Sequence, residues 1–305
     1  MSCRVSATLS SQEPRASRAE RSPSPNPTRN LILSIYLPDS FSSVYEAIDM
    51  QNWEFFQQSM SVSADRVRGN AKADLLIFKP ISLREPAFLL IEVQDLQGKA
   101  IEQFDQVRDR QMHLIVVSDD LSTFETLYPT YQGKGRFTVE ATFSEPGSYT
   151  LFSCCQPSGQ PEIASALKLT VPGISPPAPE INLSETRFVN NTEVYLRLPQ
   201  FIPEYGEEMT IAFDLQDRAI DPLKNLKPYR RAPGNLVIVH RSFDLTGVSY
   251  IPTQPILNVT EHQLEFTTRL PQPGLYKLWL QFEHNQELLM ADFWLKLYPL
   301  EYYYE

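Results

Sequence analysis

The chain states its pattern twice. Met112-His113-Leu114-Ile115-Val116-Val117 is echoed by Gly234-Asn235-Leu236-Val237-Ile238-Val239. Phe137–Phe143 followed by Pro146-Gly147-Ser148-Tyr149-Thr150-Leu151 is echoed by Leu264–Leu270 followed by Pro273-Gly274-Leu275-Tyr276-Lys277-Leu278. The offset grows from about 120 to about 127 residues. A period of that length is a whole domain, far longer than the unit of a solenoid or propeller blade. The sequence therefore predicts a tandem pair of related domains, and 305 residues leave room for two.

The segments inside each copy read as strands. The chain carries 25 prolines and 11 glycines, and so many prolines break helices and central strands into short pieces separated by turns. Arg187-Phe188-Val189 and Glu193–Leu196 flank Asn190-Asn191, and Arg66–Arg68 and Asp74–Ile77 flank Gly69-Asn70. Gly and Asn tolerate the positive φ of tight hairpins. Leu89, Ile91 and Val93 alternate, as do Met209, Ile211 and Phe213. The runs Leu114–Val117 and Leu236–Val239 are apolar at successive positions, as in strands buried on both faces or lying under a covering segment. Ile163, Ser165, Leu167, Leu169 and Val171 close the first copy; Leu289, Ala291, Phe293, Leu295 and Leu297 close the second, after a predicted hairpin turn at His284-Asn285-Gln286.

Pro-Gly-x-Tyr-x-Leu is the most specific fold signal. A Tyr opening a strand after a tight turn resembles the tyrosine corner of immunoglobulin-like sandwiches, where the phenol caps a backbone carbonyl and the residue two further on enters the core. By parity Leu151, Ser153 and Cys155 face inward in the first copy, and Leu278, Leu280 and Phe282 in the second. Cys154 and Cys155 then point to opposite faces; a vicinal disulfide is the alternative. The expected layout is a mostly disordered extension over 1–57 with a short helix at 43–58, a sandwich over 58–172, a Pro-rich linker over 173–182, a second sandwich over 183–299 and a tail over 300–305. The fold class is all-β: two tandem immunoglobulin/cupredoxin-like antiparallel β-sandwich domains.

These copies resemble a cupredoxin-like or YtkA-like family of exported bacterial proteins associated with copper or heavy-metal handling. The resemblance rests on Arg110–Leu121, Tyr128-Pro129 and Phe143–Tyr149, and on Leu226–Tyr229, Gly234–Val239 and Pro273–Trp279. It implies a periplasmic or extracellular location, although the recorded N-terminus shows no clear signal peptide. It also implies a metal-binding histidine near the start of the Leu-Ile/Val strand and a His-x-His-Pro after the next loop. This chain keeps only His113. The other positions read Thr126 and Tyr128 in the first copy, and Asn235, Ser249 and Ile251 in the second. Hydroxyls and alkyl groups do not replace neutral imidazole toward copper or zinc. No metal centre is therefore expected, with copper or zinc at His113 as the alternative.

Other chemistry is sparse. There is no phosphate loop, nucleophile elbow or zinc-protease pair. A net charge of −10 argues against nucleic-acid binding, and no apolar run reaches the length of a membrane helix. Trp279 and Trp294 fall on strand parity opposite the core, with Phe152 as the first-copy equivalent of Trp279. Exposed, these rings would offer a surface to a protein partner; covered, they would belong to an internal interface. The functional expectation is a non-catalytic binding or scaffold protein with an unidentified protein partner. The alternative is a copper- or zinc-binding accessory protein.

Overall fold

The computed structural model describes residues 70–107, 109–200, 203–217, 226–227, 234–257 and 262–298. The predicted helix at 43–58, the strand over 66–68, Tyr229 and both terminal extensions lie outside those residues. The described residues form nineteen strands and no helix. The first nine are β1 (Ala71–Ile77), β2 (Pro86–Asp95), β3 (Phe104–Asp105), β4 (Met112–Ser118), β5 (Phe124–Leu127), β6 (Thr130–Gly133), β7 (Arg136–Thr142), β8 (Gly147–Pro157) and β9 (Ile163–Val171). They build sheets ordered β1-β2-β7-β6 and β3-β8-β4-β5, with β9 on the other edge of β8. The second set is β10 (Thr186–Val189), β11 (Thr192–Arg197), β12 (Glu208–Asp217), β13 (Leu226–Lys227), β14 (Asn235–His240), β15 (Tyr250–Ile251), β16 (Thr253–Pro255), β17 (Gln263–Arg269), β18 (Gly274–His284) and β19 (Glu287–Leu297). Its sheets run β10-β11-β12-β17-β16 and β13-β18-β14-β15, with β19 on β18. Every pairing is antiparallel. The described residues are all-β and form two immunoglobulin-like sandwiches in tandem.

Each sandwich has its own core. Leu75, Leu89, Ile91, Phe137, Leu151 and Leu167 meet inside the first; Val194, Ile211, Phe213, Phe266, Leu278 and Phe293 meet inside the second. The predicted parity places these residues, because alternate side chains of a strand share one face. The two-residue turns fall at Asn190-Asn191, where Asn190 has φ 52°, and at Asn285-Gln286, with φ 51° and 68°. Positive φ at both central residues lets the turn follow the twist of the β18–β19 ribbon.

The Pro-Gly-x-Tyr segments form the same corner twice. Tyr149 Oη donates to the Glu145 carbonyl at 2.8 Å, and Tyr276 Oη to the Gln272 carbonyl at 2.5 Å. Gly147 and Gly274 have φ of 138° and 145°, a region that L side chains rarely adopt. A Cβ on Gly274 would stand 2.6 Å from His240 Nε2, so the glycine also makes room for the imidazole. Burial pushes the Tyr276 hydroxyl up to about 12.

One face of each sandwich is not left to solvent. Ile115, Val117, Leu121, Phe152, Cys154 and Ala166 of the first form a single buried cluster with Val237, Val239, Leu245, Trp279 and Trp294 of the second. The sheets containing β4 and β14 are therefore covered on both sides. This is the physical origin of the unbroken apolar runs Leu114–Val117 and Leu236–Val239.

Candidate functional site

The aromatic residues considered as a partner surface lie in this seam. Trp279 is 1% and Trp294 4% exposed, and Phe152 is fully buried. Lys277 pairs with Trp294 and Trp279 with Asp292 across β18 and β19, so the two indoles are diagonal neighbours, as the predicted hairpin requires. They face away from the core of their own sandwich and are covered by the first one. Of the two arrangements expected for these rings, exposed or covered within the molecule, the structure has the covered one. Phe124 stacks on Trp279 with centroids 4.8 Å apart, and Phe152 meets Tyr250 at 5.8 Å. Lys277 Nζ lies 4.9 Å from the Trp294 centroid and pairs with Asp292, which satisfies an ammonium that is otherwise almost wholly buried. At the edge of the seam Lys168 of β9 reaches Asp244 at 2.7 Å.

The positions singled out for metal do not assemble a ligand set. His113 lies opposite Cys154 and against the Tyr128 ring, with centroids 5.5 Å apart. His113 Nε2 is 2.8 Å from the Val107 carbonyl oxygen. A carbonyl only accepts, so that nitrogen holds the proton and is engaged. Thr126 sits opposite Ile115, its hydroxyl buried with no hydrogen-bond partner among the described residues. In the second sandwich Asn235 donates to Gln281, Ile251 packs in the core, and the Ser249 carbonyl accepts from His240 N at the far end of β14. Among the described residues no group of three or more His, Cys, Asp or Glu could hold a metal ion. Cys154 and Cys155 are both buried and are not joined to each other by a disulfide. They point into the seam and the core respectively, and burial pushes the Cys155 thiol up to about 12, far from the thiolate a metal would need.

A cleft not anticipated from the sequence lies beside the second tyrosine corner. It has a volume of about 220 Å³ and is lined by His240, Ser242, Asp244, Thr246, Val248 and Gln272, among others. Its wall is the loop between β14 and β15. Ser249 Oγ accepts from Thr246 N at 3.0 Å and lies 3.2 Å from Ser242 Oγ. His240 packs on the Tyr276 ring, with centroids 4.8 Å apart, and contacts the Gln272 amide at 3.2 Å. Burial lowers the His240 pKa, partly offset by a hydrogen bond to the Pro273 backbone. Phe243, at the tip of the same loop, is completely exposed. Ser, His and Asp are all present, but the Asp244 carboxylate is engaged by Lys168 rather than by the imidazole. What the sequence offered was the length of this loop, longer than its first-copy counterpart; nothing in its residue pattern marked a cleft.

A sequence profile described as "Domain of unknown function (DUF8832)" matches residues 187–298, the second sandwich. No curated protein matches the chain. Among solved structures the chain is similar to a titin fragment, "Anomalous substructure of Titin-A168169", at 9% identity over 74% of this chain and 99% of that one, with a TM-score of 0.19. It is similar also to "Crystal structure of the S-layer protein SbsC domains 4 and 5", at 8% identity over 78% of this chain and 100% of that one, with a TM-score of 0.22. None of these matches is a cupredoxin-like or YtkA-like family. Among the described residues no helix is long and apolar enough to cross a membrane.

Proposed function

We propose that the protein is a non-catalytic binding or scaffold protein, in which two sandwiches are locked face to face and the loops at their ends meet a protein partner. The observation that carries this reading is the seam. Its rings are engaged inside the molecule, so the exposed aromatic on the described loops around the cleft is Phe243, on the long loop of the second sandwich. Surface loops on a rigid frame are a common place for recognition. The resemblance to exported cupredoxin-like or YtkA-like proteins belongs to the same proposal and would place the protein in the periplasm or outside the cell. The metal-binding alternative through His113 has less support, because one imidazole nitrogen is already engaged with Val107.

Two measurements test the reading. Tag-free protein should carry no stoichiometric copper or zinc, and calorimetric titration should show no tight site; a metal retained through dialysis and lost in His113→Ala would favour the alternative. A photo-reactive residue at position 243 should cross-link one defined partner in the source cells, and the same probe at exposed Leu96 should not. Equal labelling at both positions, or at neither, counts against the loop as the binding surface.

A further inference from the structure

The seam is reciprocal. In the first sandwich Ile115 lies opposite Phe152 on β8, and Val117 opposite Phe124 on β5. In the second, Val237 lies opposite Trp279 on β18, and Val239 opposite Tyr250 on β15. Phe152 and Trp279 are thus one structural position, and Phe124 and Tyr250 another. Among the described residues, ring contacts across the seam join Phe124 to Trp279 and Tyr250 to Phe152. Each joins the β5-type position of one sandwich to the β8-type position of the other. The same reciprocity extends to Ile115 and Val237, to Val117 and Val239, and to the loop leucines Leu121 and Leu245, all buried in the seam. Residue i meeting j while j meets i is the mark of a two-fold, self-complementary interface. Two unrelated faces would have no reason to satisfy that condition. The connection between the sandwiches, from Val171 to Thr186, forms no strand and is exposed over residues 172–185. It carries no buried residue that would force the pairing to be internal.

We propose that this face is a self-recognition surface whose fitting partner, beyond the same chain, is a second copy of it: two chains exchange sandwiches, the first of each packing on the second of the other. The contacts are those already described, so exchange costs only the advantage of the tether, which is an effective concentration set by linker length. This inference rests on the packing and not on the proposed binding role.

The test uses the full chain in two forms, wild type and a variant lacking residues 174–180. Differently mass-labelled chains are mixed at high concentration, passed through mild denaturant, returned to native buffer and read by native mass spectrometry and sedimentation. The expected result is a mixed dimer, a minor species for wild type and raised at least about tenfold in the shortened chain, where the tether favours the internal pair less. Phe124→Asp and Tyr250→Asp, at equivalent positions, should each abolish it, with circular dichroism showing the β-structure kept. Monomer alone in both forms overturns the proposal, and so does a dimer that survives both substitutions. A substituted chain that loses its β-structure is replaced by the milder Phe124→Ala and Tyr250→Ala, which must lower the dimer fraction to a similar extent.

Discussion

The two sandwiches share one frame and fill it differently. Where the first sets Met112 opposite Cys155, the second has Gly234 just before β14 and uses Phe282 in the core. A Cβ on Gly234 would meet the Gln281 carbonyl oxygen at 3.0 Å, Leu264 Cδ1 at 3.1 Å and Phe266 Cζ at 3.5 Å, so the neighbouring backbone and the Leu264 and Phe266 side chains leave no room there for a side chain such as the methionine of the first copy. At the tyrosine corner Ser118 lies opposite Tyr149, and His240 opposite Tyr276. Ser118 Oγ belongs to a tight loop, hydrogen-bonded to Asp120 at 2.5 Å and accepting from Ser122 N and Thr123 N. Burial alone raises the Asp120 pKa, but the hydrogen bonds from Ser118 and Ser122 outweigh it and hold the carboxyl below its usual range. The His240 corner supports a longer loop and a cleft. The difference teaches where this fold tolerates change: register and corner are kept, while core volume and the loop beyond the corner vary.

If the seam holds both copies as one body, its largest rings carry the largest effects. Trp279→Ala and Phe152→Ala should each destabilise the chain by about 3–5 kcal/mol, the range for removing a buried aromatic and leaving a cavity. Urea unfolding followed by tryptophan fluorescence and circular dichroism measures this. A cost below about 1 kcal/mol for either would mean that the seam yields without loss, and the comparison of two equivalent halves would fail at its strongest point. A double-mutant cycle on Phe124 and Trp279 should show coupling of about 0.5–1.5 kcal/mol beyond burial.

The period, the corners and the closing hairpin were legible because they are local. Pro-Gly-x-Tyr fixes a turn and a strand start within six residues, and parity then assigns Leu151, Cys155, Leu278 and Phe293 to the cores. The unbroken runs Leu114–Val117 and Leu236–Val239 already required a cover over the outer face. That the cover is the other copy depends on packing between residues more than a hundred positions apart, as in Phe124 on Trp279. The equivalence of Thr126 and Tyr128 with Ser249 and Ile251 failed for a related reason. The loop after β14 is longer than that after β4, and strand pairing makes Phe124 equivalent to Tyr250, three residues beyond the match suggested by Pro129 and Pro252. The growing repeat offset reports the added length, but not at which residues of the loop it is inserted.

The corners give a smaller and more symmetric test. Tyr149→Phe and Tyr276→Phe each remove one hydroxyl donor and leave the Glu145 or Gln272 carbonyl short of a partner. The expected loss is about 1 kcal/mol each, rising toward about 2 where the carbonyl stays buried. Tyr276→Phe should cost at least as much, because Gln272 also holds the His240 ring through its amide. Melting temperatures of the two variants, measured side by side, check the order. A clearly larger loss at Tyr149 would show that the serine loop, not the histidine corner, is the more demanding of the two.

The smallest effect separates the copies by pH. His240 is half-buried and its pKa is lowered, chiefly by desolvation, while the equivalent Ser118 does not titrate. A base whose folded pKa lies below its unfolded value binds its proton more readily when the chain is unfolded. Stability therefore rises with pH through that window. Its contribution is fully present above the unfolded histidine value of about 6.5 and is lost as pH falls toward the folded value. On acidification the imidazolium would sit against Gly274 and the Tyr276 ring, while Asp244, the acid lining the cleft, is already paired to Lys168. Unfolding followed between about pH 7.5 and 5 should thus show a decline that His240→Gln flattens, the amide keeping a hydrogen bond to the Pro273 backbone without a titrating group. A slope unchanged by His240→Gln would mean that the histidine adjusts to its proton freely. In that case the cleft and the serine loop would be equivalent fillings of one corner, and the contrast between the two sandwiches would reduce to loop length.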